Sequence, residues 1–403
     1  MKVLHVIPAV APSYGGPSQA VFEICQALMS QGVEAEIAAT NANLNGTLDV
    51  PLNEKIQFQG VPTYFLDRTL KTEYKFSVPL TQWLKRNIPN YNLLHIHSVF
   101  CFPTTVAAYY ARKYRIPYMI RPAGILDSWP MRQHLWRKKI YFNVVEKENL
   151  NQATAIHYTS EKEKLSAERL GVSAKGVVVP LGLQLDAQYQ AIPKGSFKQK
   201  FQEIGDRRLI IFLSRIDPKK GLELLIEALA GLKKSRPDFF LAVAGSGKEE
   251  YLKILRKKIK DLQLEKQVLF AGHLQGEAKY ELLRDADLFV LPSYQENFGF
   301  AVVEALAMGI PVVVSDQVDI SKEIEAYRAG KVVPCDVKSL ALAVDELLDN
   351  EKEKMSMGEN ARRLFLEKFS REKMAIGLIN LYQSILAVQQ INPCRIPTSL
   401  PSF

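Results

Sequence analysis

Strand-like and helical segments alternate along almost the whole chain, and this alternation limits the possible folds more than any other feature. Six short apolar runs of buried-strand length precede residue 182 and six follow it, with helical patterns between them. Two such cycles predict two α/β domains, each a doubly wound parallel sheet. The runs are Val3–Ile7, Glu34–Ala39, Leu93–His97, Tyr118–Arg121, Ala155–Thr159, Gly176–Pro180, Leu209–Leu213, Phe239–Val243, Gln267–Phe270, Leu288–Leu291, Pro311–Val314 and Lys331–Val333.

The domain boundaries follow from where this alternation weakens. With 403 residues and 47% hydrophobic content, the chain is long enough for two cores. We expect a first domain over 1–182, a connector over 183–200 and a second domain over 201–370. A helical pattern at 371–388 follows, and the proline-containing tail 392–403 is predicted to be disordered.

Two glutamates lie eight residues apart across a predicted strand-to-helix junction. The apolar run Leu288–Leu291 precedes a polar turn, and a helical pattern begins near Phe298 and stops at Gly309. Glu296 therefore precedes the helix and Glu304 lies inside it. At about 1.5 Å of rise per residue the carboxylates can lie roughly 10 Å apart, near the reach from a hexose to a ribose across a diphosphate. An N-capped helix with one solvated glutamate is the equally weighted alternative.

The amides at this predicted helix start are candidate ligand-binding groups. Asn297, Phe298 and Gly299 precede the first helical hydrogen bonds, so their N–H groups point outward. Such amides suit negatively charged oxygens, and a glycine lets a ligand approach the backbone closely.

A basic turn follows the first predicted strand of the second domain. Arg215 and Lys220 lie five residues apart there, and an Arg fork with a mobile Lys charge can hold a diphosphate. A solvated basic turn is the favoured alternative for this motif alone. Gly245 follows the next strand, and the three motifs fall within about 100 residues, which favours one ligand site over unrelated turns.

In their order, these motifs resemble those of the retaining family 4 glycosyltransferases of the GT-B fold. The N-terminal half adds Gly15-Gly16 after the first strand and His95-Ile-His97-Ser at the end of a later one, so the resemblance spans roughly residues 1 to 385. The motifs of the second half are Ser214-Arg215-x4-Lys220-Gly221, Ala244-Gly245-x-Gly247, Phe270-x-Gly272, Ala286-Asp287-Leu-Phe-Val-Leu-Pro-Ser293 and Glu296-x7-Glu304.

The resemblance implies two Rossmann-like domains facing across a cleft, with the helix near 371–388 packing back on the first. It also implies donor-site roles in the second domain. Arg215 and Lys220 stabilise the leaving diphosphate, Glu304 binds the ribose, and Glu296 with nearby amides holds the sugar hydroxyls. Backbone near His273 meets the base. The full implied set is Arg215, Lys220, Gly245, His273, Leu274, Glu296, Asn297, Phe298, Gly299 and Glu304.

In the first domain the resemblance places Gly15 and Gly16 at the diphosphate and His97 beside the donor sugar. The spacing puts the His95 and His97 side chains on one side of a strand, and a structural or hydrogen-bonding role is favoured over metal binding. Arg121 and Asp127 are assigned to the acceptor side. A salt-bridged surface loop is the slightly favoured alternative for them.

Asp285-Ala-Asp287 has the spacing of a metal-binding pair, but its position argues against that role. Asp287 directly precedes the buried run Leu288–Leu291, at the amino end of a strand and away from the motif-bearing edge. Arg215 and Lys220 can supply the positive charge instead. We therefore expect no required metal and no cofactor.

The positive charge of the chain is concentrated in its first domain. Residues 1–182 hold 20 Lys and Arg against 13 Asp and Glu, mixed with tryptophan and tyrosine. Peripheral contact with an anionic membrane surface is one interpretation, and a solvated face is the other. Nucleic acid is not expected, because no helix-turn-helix, zinc or RNA-binding signature accompanies the charge.

No apolar run reaches the roughly 18 residues of a spanning helix, and the four cysteines lack ligand spacing. These features are typical of a cytoplasmic protein, with the inner face of the plasma membrane as the peripheral location. The resemblance implies hexosyl transfer, most commonly from UDP-glucose, to a glycan or lipid-linked glycan in exopolysaccharide or cell-envelope polysaccharide synthesis. A nucleotide-sugar epimerase of the same fold and a non-catalytic nucleotide-sugar-binding protein are the alternatives.

Overall fold

The computed structural model describes residues 1–44, 46–126 and 135–391. The chain forms two compact units. Unit 1 contains Met1–Gly182 together with Arg371–Phe403, and unit 2 contains Leu183–Ser370. The predicted tail 392–403 lies outside the described residues. The fold is α/β, with one large and mostly parallel sheet in each unit.

Unit 1 is built on an eight-stranded sheet with the strand order β10-β9-β8-β7-β1-β2-β6-β5. All neighbours are parallel except β5, which pairs with β6 as an antiparallel edge strand. A separate hairpin joins β3 and β4. The strands are β1 Lys2–Ala9, β2 Glu34–Thr40, β3 Ala42–Asn43, β4 Gly46–Thr47, β5 Lys55–Phe58, β6 Val61–Leu66, β7 Leu93–His97, β8 Tyr118–Arg121, β9 Ala155–Tyr158 and β10 Gly176–Val178.

Helices cover this sheet, and they include one from the end of the chain. That last helix packs on the helix Gly16–Ser30, and the Arg371 guanidinium lies 2.6 Å from a Glu23 carboxylate oxygen. The helices are Gly16–Ser30, Val78–Asn87, Phe102–Lys113, Leu135–Tyr141, Lys147–Asn151, Glu161–Arg169 and Arg371–Ile391, with single 3-10 turns at Pro12–Tyr14 and Ile88–Asn90 and a π turn at Phe142–Glu146.

Unit 2 is built on a six-stranded parallel sheet with the order β13-β12-β11-β14-β15-β16. Every residue of β12, β14 and β15 is buried, as expected for a parallel sheet covered on both faces. The strands are β11 Arg208–Leu213, β12 Phe239–Ala244, β13 Val268–Gly272, β14 Leu288–Leu291, β15 Val312–Ser315 and β16 Gly330–Val333.

The helices of unit 2 follow its strands in turn. They are Ala187–Gln190, Ser196–Lys200, Leu222–Leu232, Glu249–Asp261, Gly276–Asp285, Phe300–Ala307, Ser321–Tyr327, Val337–Asp349 and Glu351–Leu364, with 3-10 turns at Gln202–Ile204 and Pro218–Lys220 and a π turn at Phe365–Phe369. Of the helices in the described parts of the chain, none combines the length and apolar character needed to cross a bilayer.

The segment 183–200, which the sequence suggests is a connector, folds as part of unit 2. The Asp285 carboxylate accepts a hydrogen bond from the Lys198 amide at 2.9 Å, which fixes the start of a short helix. The Tyr189 ring stacks on Tyr280 with ring centroids 4.0 Å apart. These long-range contacts explain why a segment without clear periodicity is nevertheless ordered.

Candidate active site

The sheet of unit 2 brings the sequence motifs to one edge. Arg215, Gly245, His273 and Glu296 follow the carboxyl ends of β11, β12, β13 and β14, which are consecutive neighbours in the sheet. Parallel strands end at the same edge, where open α/β sheets bind their ligands. The topology therefore groups motifs that are spread over about 80 residues of sequence.

Lys220 and Glu296 form an ion pair at this edge. The Lys220 ammonium donates to a Glu296 carboxylate oxygen, and Lys220 is 7% exposed. An ammonium carries three donors, so Lys220 can keep Glu296 and still contact an oxygen of a ligand. The sequence predicted both residues for the site, but it gave no indication of their direct contact.

The two loops that carry this pair are tied together through their backbones. The Tyr294 amide donates to the Lys219 carbonyl at 2.8 Å. Gly221 has a φ of 67°, and a Cβ there would lie 2.2 Å from the Pro292 carbonyl oxygen. A larger residue at Gly221 would therefore separate the loops and disturb the geometry of the ion pair.

Arg215 is exposed, and the described residues offer its guanidinium no hydrogen-bond or ion-pair partner. Its backbone is well fixed, because the Ile216 amide donates to the Ser246 carbonyl at 2.8 Å. A Cβ at Gly245 would lie 1.8 Å from the Ser214 carbonyl oxygen. Close backbone packing thus accounts for Gly245, and it fixes the backbone from which the exposed Arg215 side chain extends.

The turn before the next helix contains a glycine that its backbone conformation favours, and its oxyanion-binding role stays a prediction. Gly299 is in the left-handed region with a φ of 75°, and a Cβ there would lie 3.1 Å from Cγ of Glu296. Phe298 is 4% exposed, so its ring is buried in the protein. The Asn297 side-chain amide donates to an Asp319 carboxylate oxygen at 3.4 Å.

Glu304 is held by a lysine that the sequence did not single out. The Lys279 ammonium donates to a Glu304 carboxylate oxygen at 2.7 Å, and the Glu304 side chain is 7% exposed. Lys279 lies on the helix Gly276–Asp285, which follows the loop carrying His273 and Leu274. The pair fixes the orientation of a buried carboxylate. No spacing rule would have found it, because its members are 25 residues apart on different helices.

His273 is exposed and Leu274 is half-buried, beyond the end of β13. The His273 Nε2 atom lies 2.7 Å from the side-chain amide nitrogen of Gln275. The implied contact of this loop with the base through its backbone stays a prediction.

Asp285 and Asp287 accept backbone hydrogen bonds at the opposite edge of the sheet. Asp287 precedes β14, and its carboxylate accepts from the Leu209 amide at 2.7 Å. Asp285 is 2% exposed and accepts from the amides of Gly195 and Lys198. Both positions agree with the expectation that this pair lies away from the candidate site.

In unit 1, Gly15 and Gly16 form the start of a 15-residue helix. Gly15 has a φ of 70°, and a Cβ there would meet no atom within 4 Å. The Gly16 amide belongs to the first helical turn, which has no partner within the helix. An amide of this kind suits a negatively charged oxygen, and the phosphate-facing role of the turn stays a prediction.

Four buried histidines form a network in the interior of unit 1. The His5 Nδ1 atom lies 3.0 Å from His97 Nε2, and His95 Nε2 lies 3.3 Å from His157 Nδ1. Arg121, which is 1% exposed, donates from Nε to His97 Nδ1 at 3.1 Å. The histidine network consists of His5, His95, His97, His157, Arg121 and Tyr382.

The tautomers of the histidines follow from two groups at the ends of the network, one that can only donate and one that can only accept a hydrogen bond. Arg121 can only donate, so His97 carries its proton on Nε2 and donates to His5. His157 Nε2 lies 2.8 Å from the Val179 carbonyl, which can only accept, so His157 Nδ1 accepts from His95. Tyr382 then donates to His95 Nδ1 at 2.8 Å. The His5 Nε2–H remains buried without a partner among the described residues.

This arrangement does not fit a metal centre, although nitrogens of His5, His95 and His97 lie within 4.8 Å of one another. The imidazole lone pairs are already used as hydrogen-bond acceptors, and the Arg121 cation is adjacent. Burial, followed by the charge of Arg121, lowers the pKa of His5 to about 3. Burial likewise lowers the pKa of His157 to about 3, so the rings are neutral.

His97 and Arg121 are thus packed inside unit 1, and their side chains contact protein groups. Their assigned donor-side and acceptor-side roles stay predictions. Asp127, the other acceptor-side candidate, lies outside the described residues.

Two loops at the carboxyl edge of this sheet are strained, and the sequence did not indicate it. Ser98, Phe100 and Ala123 have φ values of 79°, 60° and 59°. The Phe100 amide donates to a Glu146 carboxylate oxygen at 2.6 Å, and Glu163 accepts from the residue after Ala123 at 2.6 Å. Burial raises the pKa of Glu146 to about 7. Strain held by buried carboxylates is typical of functional loops.

Two family models match the chain. A glycosyltransferase group 1 model covers residues 194–364, and a glycosyltransferase 4-like domain model covers residues 15–182. The chain belongs to the family 4 glycosyltransferases. For this glycosyltransferase the sequence-based recognition of the family is therefore confirmed.

Curated relatives include several mannosyltransferases. The glycosyltransferase is 29% identical over 54% of its length to the GDP-mannose-dependent alpha-(1-6)-phosphatidylinositol monomannoside mannosyltransferase of Mycolicibacterium smegmatis, covering 59% of that protein. It is 23% identical over 96% of its length to O-antigen chain mannosyltransferase C of Escherichia coli, covering 99% of that protein. With several other relatives, the match spans about half of the relative's length, for example 48% of an archaeal glycosyltransferase from Methanocaldococcus jannaschii.

Solved structures confirm the GT-B fold. The glycosyltransferase superimposes on Anabaena Alr3699/HepE, solved in complex with UDP and glucose, with a TM-score of 0.75 and 19% identity over 95% of this chain and 100% of that one. Sucrose-phosphate synthase from Thermosynechococcus elongatus gives a TM-score of 0.74 with 20% identity over 96% and 100%. Both are GT-B enzymes, and at these identities the likeness concerns the fold.

Proposed function

We propose that this protein is a retaining glycosyltransferase that transfers a hexosyl group from a nucleoside diphosphate sugar to a glycan or lipid-linked glycan. The observation that carries the proposal is the grouping of an exposed arginine and two Lys–Glu pairs, each with one buried member, at one edge of unit 2. UDP-glucose or a close relative is the proposed donor. Exopolysaccharide or cell-envelope polysaccharide synthesis is the proposed context, and the names of its mannosyltransferase relatives support it.

In the proposed reaction the bond between the anomeric carbon and the diphosphate oxygen breaks, and a bond to the acceptor oxygen forms on the same face. Arg215 takes the diphosphate bidentately and Lys220 contributes a point charge, so the leaving group is stabilised as its charge develops. A diphosphate oxygen takes the acceptor proton. This charge arrangement needs no metal ion.

Two carboxylates hold the ends of the donor in this proposal. Glu304 accepts hydrogen bonds from the ribose hydroxyls, and its pair with Lys279 keeps it oriented. Glu296 accepts from hydroxyls of the sugar while it remains paired with Lys220.

The test is a screen of the full chain against UDP-glucose, UDP-galactose and GDP-mannose. Slow hydrolysis that releases the nucleoside diphosphate identifies the donor, and proton NMR of the sugar product identifies the anomer. An α-anomer from an α-linked donor is expected. A β-anomer would exclude retention, conversion to an isomeric nucleotide sugar would indicate an epimerase, and binding without turnover would indicate a binding protein.

A matched pair of arginine variants tests the diphosphate assignment. Arg215→Ala should lower turnover by about 100-fold or more, because one preorganised stabiliser of the leaving group is lost. Arg256→Ala, on an exposed helix of the same unit where Arg256 pairs with Glu249 at 2.9 Å, should leave turnover unchanged. Near-normal turnover of the Arg215 variant would exclude the assignment.

We also propose that unit 1 contacts anionic membranes peripherally. Ile140 and Val144 lie one helical turn apart and are 58% and 69% exposed, and the exposed Lys139 lies next to them. Exposed apolar groups beside lysines favour a lipid interface. Co-sedimentation with vesicles containing anionic phosphatidylglycerol should exceed that with phosphatidylcholine alone. It should fall when Ile140 and Val144 are both replaced by Ser, and equal recovery in all cases would contradict the proposal.

A further inference from the structure

An irregular segment over 67–77 crosses between β6 and the helix Val78–Asn87 in unit 1. It is ordered by backbone hydrogen bonds, which include Thr69 N–H to the Phe76 carbonyl at 3.0 Å and Phe102 N–H to the Tyr74 carbonyl at 2.9 Å. The segment is therefore a defined part of unit 1.

Lys75 in this segment is both strained and buried. Its φ is 56°, a conformation that costs energy for a non-glycine residue and that clusters at functional sites. Lys75 is only 9% exposed. Its ammonium donates to the Glu73 carbonyl at 3.2 Å. Among the described residues, the carboxylate within ion-pair reach is that of Glu73, which is fully exposed and 3.8 Å away. The charge of Lys75 is thus weakly neutralised for its degree of burial.

Arg68 and Tyr14 share this neighbourhood. The Lys75 ammonium lies 5.2 Å from the centre of the Tyr14 ring. Burial raises the pKa of Tyr14, Glu73 adds to that effect, and the charge of Arg68 opposes it. The Arg68 guanidinium donates to the Gly46 carbonyl, while its Nε is buried without a partner in the described parts of the chain.

This group adjoins the helix start that faces open space. Tyr14 directly precedes Gly15, and Gly16 presents one of the first amides of its helix. A buried ammonium, a guanidinium, a phenol and a helix N-terminus all complement negatively charged oxygens. The Tyr14 ring stabilises the ammonium in part, but a ring supplies no hydrogen-bond acceptor of carboxylate strength.

We propose that Lys75, Arg68 and Tyr14 form an oxyanion-binding subsite of unit 1 that takes a phosphate or carboxylate group of the acceptor. The assignment of this subsite to the acceptor rests on the proposed transferase function, whereas its affinity for an oxyanion follows from the residues themselves. In this strained backbone conformation the Lys75 ammonium lies beside Tyr14. An acceptor with a phosphodiester, diphosphate or uronate group has the required chemistry.

The binding test uses inorganic pyrophosphate and the full chain carrying Arg215→Ala, which removes the proposed diphosphate contact of unit 2. Calorimetry should detect one remaining site. Adding Lys75→Gln should weaken its affinity at least tenfold, whereas Lys85→Gln, at an exposed helical lysine of the same unit, should not. Absence of binding in the Arg215→Ala protein, or equal affinities with and without Lys75→Gln, would overturn the proposal.

A second variant distinguishes a ligand-binding role of Lys75 from a structural role. Lys75→Gly relieves the backbone strain, so it should keep or raise the melting temperature while it weakens pyrophosphate binding like Lys75→Gln. A lower melting temperature with unchanged affinity would assign Lys75 a structural role only. The test also stands apart from the transferase proposal, because pyrophosphate binding is measured whether or not any nucleotide sugar is turned over.

Inorganic phosphate and glucuronate then distinguish the two kinds of acceptor group. Tighter binding of phosphate indicates a phosphorylated acceptor, and tighter binding of glucuronate indicates an acidic sugar. If Lys75→Gln instead raises the KM for the donor and leaves transfer to the acceptor unaffected, the assignment to the acceptor is wrong.

Discussion

Mild acid should destabilise unit 1 through its histidine network. Burial is the main cause that lowers the pKa of His95 and His97 well below the usual range, and it lowers those of His5 and His157 to about 3. In the unfolded chain these groups titrate near 6.5. Because the folded pKa values lie below the unfolded ones, the stabilisation is present above pH 6.5 and is lost as the pH falls.

The size of the effect follows from proton linkage. Between pH 7.5 and 5.5 the free energy of unfolding falls by about 1.4 kcal/mol for each histidine that stays neutral only in the folded state. For four such histidines it falls by about 5 kcal/mol. Glu146 acts in the opposite direction, because burial raises its pKa to about 7 and the folded state takes up a proton over the same interval. The proton uptake by Glu146 therefore offsets about 2 kcal/mol of the loss in the free energy of unfolding. The net loss of about 3 kcal/mol is large against a typical total of about 5 to 15 kcal/mol.

Urea denaturation of the full chain, followed by tryptophan fluorescence, measures this loss. All three tryptophans, Trp83, Trp129 and Trp136, belong to unit 1, so the signal reports its unfolding. His157→Gln should reduce the loss by about 1.4 kcal/mol, and Glu146→Gln should increase it by about 2 kcal/mol. The matched control is His273→Gln in unit 2, which should change nothing.

His157→Gln and Glu146→Gln are expected to change the loss of stability in opposite directions. A free energy of unfolding that does not change between pH 7.5 and 5.5 would show that the histidines titrate normally in the folded protein. A shift of both variants in the same direction would show that general destabilisation, and not linkage, determines the pH dependence.

The remaining predictions concern the donor site. Glu304→Ala should weaken UDP binding by roughly 1.5 to 3 kcal/mol in calorimetry, because the ribose loses a charge-assisted hydrogen bond. Lys279→Gln should weaken it less, since the carboxylate remains but is no longer oriented. Glu296→Ala should abolish sugar transfer while leaving free UDP affinity nearly unchanged, and equal effects of the two Glu variants on UDP would show that their roles are misassigned. Donor hydrolysis should persist in saturating EDTA, and Asp287→Asn should lower the melting temperature without affecting hydrolysis. Loss of hydrolysis on chelation and its recovery with manganese would contradict this.

The central strands were predictable because each is a short apolar run between polar turns. The last two strands at one margin of the unit 1 sheet, β6 and β5, were not. β5 reads Lys-Ile-Gln-Phe, only four residues with alternating polarity, and β6 contains Pro62, which is tolerated near a sheet margin but argues against a strand in sequence. Both gain their order from pairing with each other and, for β6, with β2.

The candidate site was predictable where residues follow strand ends, as Arg215 and Glu296 do. Contacts between distant segments were not. Lys279 is paired with Glu304 across two helices, and His95 meets Tyr382 across 287 residues of sequence. Periodicity and spacing report on neighbours along one element, so they carry no information about such pairs.

The last helix of the chain has a consequence for how the protein is made. Unit 1 combines residues before 183 with the helix that begins at Arg371, so the ribosome must synthesise all of unit 2 before unit 1 is complete. At about 5 to 20 residues per second this interval lasts roughly 10 to 40 s. Throughout it, His95 lacks its hydroxyl partner and the helix Gly16–Ser30 lacks its cover. The amino-terminal segment therefore waits for its last helix, and unit 2, whose residues are contiguous, can finish folding first.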